Sequence, residues 1–235
     1  MKKINLFMVL VFFLSSCMVS EGQTTQTRKI DSFNKISVKG NMAVYLTKGQ
    51  EEKFEIEVKD STIDPSKVTT EMNGKELKIR MMSHLLRSQV KVKINITYKE
   101  ISEINADVSS EIFIDSVIRG EKIILRAMTN GTITLTVDVD SIKAEVTEGS
   151  LITISGKAKT QNIEVGSGGT YTAFDLTTDV TTVKANSKGK AKINVMKELN
   201  ATTSTGGYIN YLGHPNSKTI NNKLGGKVVQ NTDKD

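Results

Sequence analysis

Cysteine is almost missing from this 235-residue chain, which has a single one at Cys17. With no second thiol the protein forms no intrachain disulfide, whatever the redox state of its compartment. Proline is nearly absent as well, with 2 residues, and there is no tryptophan. Aromatic residues make up 5% of the chain, and the lysines are spread along it without a Lys/Arg block. A nucleic-acid groove combines clustered cations with stacking rings, so this composition argues against a nucleic-acid partner. What is abundant is Thr, Ser, Val, Ile and Lys, a mixture that favours strands over helices.

The longest apolar run comes first: Met1-Lys2-Lys3 is followed by Ile4 to Leu14, interrupted only by Asn5, and then by Leu14-Ser15-Ser16-Cys17. A basic start, a short apolar stretch and small residues are the layout of a secretory signal peptide over residues 1–16. The run is too short to cross a bilayer as a helix, which takes about 20 apolar residues. Leu14-Ser15-Ser16-Cys17 resembles a bacterial lipobox, which implies lipid attachment at Cys17 and a membrane as partner. Met18 rather than Asp follows the cysteine, and in lipoproteins of two-membrane bacteria that points to the outer membrane, on its periplasmic or its surface face. Residues 17–27 are small and polar and read as a tether. Loss of Lys2 and Lys3 with the leader lowers the formal charge from +6 to about +4. The remaining lysines read as a solvated face that discourages edge pairing.

The middle of the chain repeats. Apolar triplets alternating with polar residues occur at Ile104-Ala106-Val108, Ile123-Leu125-Ala127, Ile142-Ala144-Val146, Ile163-Val165-Ser167, Val183-Ala185-Ser187 and Leu199-Ala201-Thr203. After each comes a turn rich in Gly, Asn or Ser, then a second pair such as Ile112/Ile114, Ile133/Leu135, Ile152/Ile154, Tyr171/Ala173, Ala191/Ile193 and Ile209/Tyr211. A weaker third group contains Val117, Val137, Ala158, Leu176 and Val195. A hairpin sandwich needs no such regular phase. A solenoid that stacks like on like does, so the spacing predicts an all-β parallel β-helix (β-solenoid) with roughly 20 residues per coil.

The earlier part reads as less regular coils, including a hairpin from Val68 to Met81 around Asn73-Gly74 and a strand over Val90–Tyr98. No segment looks like an interdomain linker, so one domain is expected over residues 28–229, with a polar tail at 230–235.

Several segments carry a family resemblance. They are Arg28-Lys29-Ile30-Asp31-Ser32-Phe33-Asn34-Lys35-Ile36-Ser37-Val38, Val44-Tyr45-Leu46-Thr47-Lys48-Gly49, Leu77-Lys78-Ile79 and Gly207-Tyr208-Ile209-Asn210-Tyr211-Leu212-Gly213-His214-Pro215. Together they resemble the head GIN domain family, described as auto-transporter adhesins and abundant in Bacteroidetes. The resemblance implies a right-handed parallel β-helix, a secreted or lipid-anchored protein and an adhesin-type role. It offers no catalytic residues to carry over. The family's Ser-Gly-Ala pattern survives here only in variants such as Thr147-Glu148-Gly149-Ser150 and Gly166-Ser167-Gly168.

Motifs for chemistry are sparse. His84 and His214 stand apart, whereas a zinc site needs three or four clustered ligands. Gly166-Ser167-Gly168-Gly169 lacks the third glycine of a dinucleotide fingerprint and reads as a corner. Asp107, Glu145, Glu164 and Asp179 are the acids that a polysaccharide-cleaving β-helix would use, but Lys143 and Lys184 share their faces, so a mixed charged ladder is the simpler reading. The expectation is therefore a binding protein with no enzymatic activity, metal or cofactor. It would be a cell-envelope, adhesin-like module for glycan or protein ligands, with self-assembly as a structural alternative and a polysaccharide-active enzyme behind both. The ligand-binding candidates are Tyr208, which faces outward by phase, and Tyr171; Tyr211 reads as core.

Overall fold

The computed structural model describes residues 24–58, 64–81 and 92–232. The expected signal peptide, Cys17, the first part of the tether, His84, Val90 and residues 233–235 lie outside them. Strands account for 71% of the described residues and no α-helix occurs among them. In chain order the strands are β1 (Thr24–Thr27), β2 (Lys35–Lys39), β3 (Met42–Lys48), β4 (Lys53–Val58), β5 (Val68–Asn73), β6 (Glu76–Met81), β7 (Val92–Tyr98) and β8 (Glu103–Asp107). They continue with the long β9 (Glu111–Ala127), β10 (Thr132–Val146), β11 (Leu151–Val165), β12 (Thr170–Ala185) and β13 (Lys190–Thr203), then β14 (Tyr208–Leu212), β15 (Ser217–Asn222) and β16 (Lys227–Gln230).

From β9 onward successive strands pair in parallel, building a β-solenoid of about 7 turns spaced roughly 19 residues apart. Each long strand is three short runs. In β10, pairing with β9 shifts between Thr134 and Thr136 and skips Asp140, which separates a first, a second and a third side of the coil. Inward residues follow suit: Ile133, Leu135, Val137 and Val139 alternate, then the phase jumps to Ile142, Ala144 and Val146. No coil can bury that face alone, so stacking supplies most of the apolar burial, at about 25 cal/mol per Å².

The corner from the third side to the first is a repeated tight turn. Two consecutive residues take positive φ at Val108/Ser109, Thr129/Asn130, Glu148/Gly149, Ser167/Gly168, Ser187/Lys188, Thr205/Gly206 and Leu224/Gly225. Each turn closes from its fourth residue to its first, as in Gly131 N–H to Met128 O (2.9 Å) and Gly207 N–H to Ser204 O (2.9 Å). That fourth residue abuts the coil before it. A Cβ on Gly207 would stand 2.1 Å from the Ala185 carbonyl oxygen. Val108, Ser167 and Ser187, expected as inward members of their triplets, are corner residues instead.

The expected stacking of triplets is also off by two residues in places. Ile104 stands against Leu125, not Ile123, and Ile163 against Ala144, not Ile142. The third-side row runs Leu77, Ile36, Ile104, Leu125, Ala144, Ile163, Val183, Ala201, Ile220. In the third group the shift is of one residue: Ile118 rather than Val117 lies under Val137 and is the buried one of the two. A slip of two preserves which side chains face inward, so alternation alone cannot register it.

At the N-terminal end the coils do not follow chain order. The β2–β3 coil lies between two later ones: β2 pairs in parallel with both β6 and β8, and β3 with both β7 and β9. β5 and β6 form the expected hairpin, and β4 runs antiparallel to β7. Thr24–Thr27, read as tether, form β1 antiparallel to β4, because an edge strand needs only backbone groups to extend a sheet. Arg28 ties the two antiparallel margins together, donating to Val68 O (2.6 Å), Thr70 Oγ1 (2.6 Å) and Pro65 O (2.9 Å). At the other end, Lys218, Asn222 and Gln230 succeed Leu199, Thr203 and Tyr211 in register, while Ile220 and Val228 carry the apolar rows to the last coil and Ile220 is left 43% exposed.

Candidate binding surfaces

The third side carries the charged ladder. Lys78 pairs with Glu76 (3.6 Å), Lys35 with Glu103 (3.4 Å), Arg126 with Glu103 and, at 3.9 Å, with Glu145, and Lys184 with Glu164 (3.1 Å). Burial acts to raise the Glu103 carboxyl, yet hydrogen bonds from Asn105 and Arg126 and the charges of Arg126 and Lys35 outweigh it and hold the pKa below the usual carboxylate range. The four acids considered for catalysis are all engaged by cations. Asp107 meets Lys39 at 3.1 Å and Asp179 meets Lys197 at 2.9 Å, while Glu145 and Glu164 are neighbours in register but pair outward to Arg126 and Lys184. Among the described residues no group of three or more His, Cys, Asp and Glu is placed to hold a metal ion.

Tyr171 is not on the surface. It is wholly buried, and its hydroxyl donates to Gln161 Oε1 (3.1 Å). The Gln161 amide in turn donates to Thr178 Oγ1 (3.1 Å) and Thr181 Oγ1 (2.9 Å), and Thr178 donates to Asn194 O (2.9 Å). Burial pushes the Tyr171 hydroxyl far above the normal phenol range. This closed polar network sits where the column above and below holds Ile142 and Leu199. A ligand on the outer faces cannot reach Tyr171, so it is a core residue. Its inward phase, opposite Ile152 and Ala191, decides this.

Tyr208 does face outward, partly exposed between Lys190 and Lys227 of the adjoining strands. Tyr211 is core, donating its hydroxyl to Gln230 Oε1 (3.0 Å). His214 is exposed near Gln230.

A pair that sequence reasoning did not single out dominates the first side. Tyr45 on β3 and Phe113 on β9 are register partners whose rings stack with centroids 5.2 Å apart and planes at 21°. Tyr45 is 41% exposed, one of few large apolar side chains so open. Lys93 Nζ covers its other face at 5.4 Å and is held by Glu57 at 3.0 Å. On the far flank Thr47 donates to Asp115 Oδ2 (2.9 Å). The rings thus form a ridge that offers an edge and a hydroxyl, with charged groups at both flanks. Beyond Phe113 the same outward row becomes Thr134, Thr153, Thr172 and Lys192. The signal for the pair was the outward phase of Tyr45 within Met42–Lys48. Its partner, 68 positions away, could be found only by knowing that the β2–β3 coil is inserted beside β9.

No curated protein is similar enough in sequence to count as a relative. Solved structures share the fold. A crystal structure described as a putative adhesin from Bacteroides fragilis matches with a TM-score of 0.80 at 18% identity, covering 90% of this chain and 98% of that one. A putative adhesin from Parabacteroides merdae matches with a TM-score of 0.68 at 19% identity, over 89% and 96% of the two chains. A protein from Parabacteroides distasonis described as a putative lipid binding protein matches with a TM-score of 0.67 at 18% identity, over 89% and 97%. At these identities the likeness speaks for the solenoid alone. The family model described as "Putative auto-transporter adhesin, head GIN domain" matches residues 32–215, so the chain belongs to the head GIN domain family.

Proposed function

We propose that this protein is a lipid-anchored, adhesin-type binding module of the cell envelope that grips a protein ligand through the first side of its solenoid. The observation that carries the reading is the Tyr45–Phe113 ridge, in which an exposed Tyr45 stacks on a partly exposed Phe113 beside a row that continues as Thr134, Thr153, Thr172 and Lys192. Interface hot spots favour tyrosine in a setting where neighbouring groups exclude water, and the Lys93/Glu57 and Thr47/Asp115 pairs supply such a rim. Both faces of Tyr45 are covered, by Phe113 and Lys93, which suits insertion between side chains better than stacking on a flat sugar.

The family description supports an adhesin role, and Leu14-Ser15-Ser16-Cys17 supports the anchor and an outer-membrane position. Engagement of Asp107, Glu145, Glu164 and Asp179 in ion pairs supports binding over catalysis.

The test is solid-phase binding of the full chain to immobilised matrix proteins, envelope proteins and glycans, beside the Tyr45→Ala/Phe113→Ala variant. The expected result is capture by one or more proteins, weakened at least tenfold, about 1.4 kcal/mol, in the variant. Capture only by glycans, capture by nothing, or equal capture of the variant would overturn it.

A further inference from the structure

The insertion of the β2–β3 coil leaves a second feature, on a different side of the solenoid. Lys99–Ser102 cross directly from β7 on the first side to β8 on the third, so these early coils have no second side. β9 is the first strand to build one, and between Ile114 and Ile124 it has no strand partner on its N-terminal flank. The result is a groove of about 680 Å³, within the range of about 300–1,000 Å³ usual for small-ligand sites.

Its floor is apolar and fixed: Tyr98, Ile101, Ile118 and Val139 are all at least nine-tenths buried. Its rim is cationic, with Lys48, Lys99, Arg119 and Lys122 set against Glu100 and Glu121. Lys99 is satisfied by Glu52 at 3.3 Å. Lys48, Arg119 and Lys122 have no ion-pair partner among the described residues, so their charge is available to a ligand. Asn34 and Ser102 add neutral polar groups at the same wall.

We infer that this groove binds a carboxylate-bearing saccharide, one or two uronic-acid units of an acidic polysaccharide. Arg119 is the anchor for the carboxylate, because guanidinium and carboxylate match in a two-point fork, and Lys122 and Lys48 add charge. The ring's apolar face rests on Ile101 and Ile118, and its hydroxyls reach Asn34, Ser102 and Glu100. The one aromatic ring that lines the groove, Tyr98, is buried and offers no platform for nucleic-acid bases.

Calorimetric titration of the full chain with oligogalacturonate and oligomannuronate, beside a neutral galactose oligomer, tests the inference. At least one acidic sugar should bind while the neutral oligomer does not. Binding should fall tenfold or more in Arg119→Ala/Lys122→Ala, weaken in 0.5 M salt as about a 4 Å Debye length screens the rim, and persist in Lys184→Ala. Binding of no acidic sugar, equal binding of the neutral oligomer, or full affinity in the double variant would overturn it. The groove does not depend on the aromatic ridge, so a chain that captures a matrix protein but takes no acidic sugar refutes the groove alone.

Discussion

From β9 onward every coil rests on the one before it in sequence, whereas the β2–β3 coil is held between two coils that come later in the chain. The first region is stabilised by repetition: one corner and one inward pattern recur, and each coil serves as template for the next. The second is stabilised by closure, with antiparallel strands and Arg28 sealing a margin that stacking leaves open. The two proposed binding surfaces, the Tyr45–Phe113 ridge and the cationic groove, both arise where chain-order stacking fails.

The corners give the strongest test of that contrast. Gly207→Ala pushes a Cβ to 2.1 Å from a backbone oxygen of the coil below, and should cost about 3 kcal/mol or more, or prevent folding. Gly74→Ala, in the β5–β6 hairpin, meets a positive φ (+60°) that Gly207 lacks but has open space around it, and should cost only about 1 kcal/mol. Urea midpoints of the two variants check the ordering, and equal losses would mean that the corner contact is not what the stack depends on.

Next come the polar ties of each region. Gln161→Ala strands the Tyr171 hydroxyl inside the stack and takes one hydrogen bond from each of Thr178 and Thr181, which stay bonded to each other at 2.8 Å, and should cost about 2–3 kcal/mol by the same measurement. Arg28→Ala removes a half-buried clamp from the closed end and should cost about 1–2 kcal/mol. A larger loss from Arg28 would make closure, not repetition, the greater source of stability.

Acid acts at the junction of the two regions, where Glu103 on β8 joins Lys35 on β2 to Arg126 on β9. Its folded pKa lies below the unfolded value of about 4.3, so between the two the unfolded chain binds more protons. The stabilisation is complete above the unfolded pKa and is lost as pH falls through the folded one. Denaturation midpoints measured from pH 6 down to 3 should decline less steeply for Glu103→Gln than for the native chain. Parallel declines would remove Glu103 from the account.

The smallest effect belongs to the regular stack's surface. Lys184 and Glu164 are both more than half exposed, so Lys184→Ala should shift stability by no more than about 0.5 kcal/mol, and less in high salt.

Much of the regular stack could be read directly from the sequence. Inward alternation, Gly- and Asn-bearing corners and a near-constant period determine a solenoid, and Lys184 beside Glu164 foretold the charged ladder, whereas Lys143 stands beside Asn162 and Ile124 and enters no ion pair among the described residues. Registers that slip by two could not be read, since Gln161 and Ile163 share a face and either could sit on Ala144. Tyr171 was misplaced because its phase was weighed less than its aromatic character. The ridge and the groove were hidden for a deeper reason: both depend on pairing of β3 with β9, and nothing in the local pattern of either strand records that a later coil has its earlier neighbour inserted beneath it.

That insertion can be tested by crosslinking. In a chain with Cys17→Ser, Ser37→Cys/Asn105→Cys places thiols on neighbouring strands at positions now joined by an Asn105-to-Ser37 hydrogen bond of 3.0 Å. Lys78→Cys/Asn105→Cys places them on strands that would be neighbours only if the coils stacked in chain order; with β2 between them they are about 9–10 Å apart, beyond disulfide reach. The inserted coil predicts rapid, nearly complete oxidation of the first pair and none of the second. Oxidation of the second pair with the first left reduced would contradict it, and with it the origin of both binding surfaces.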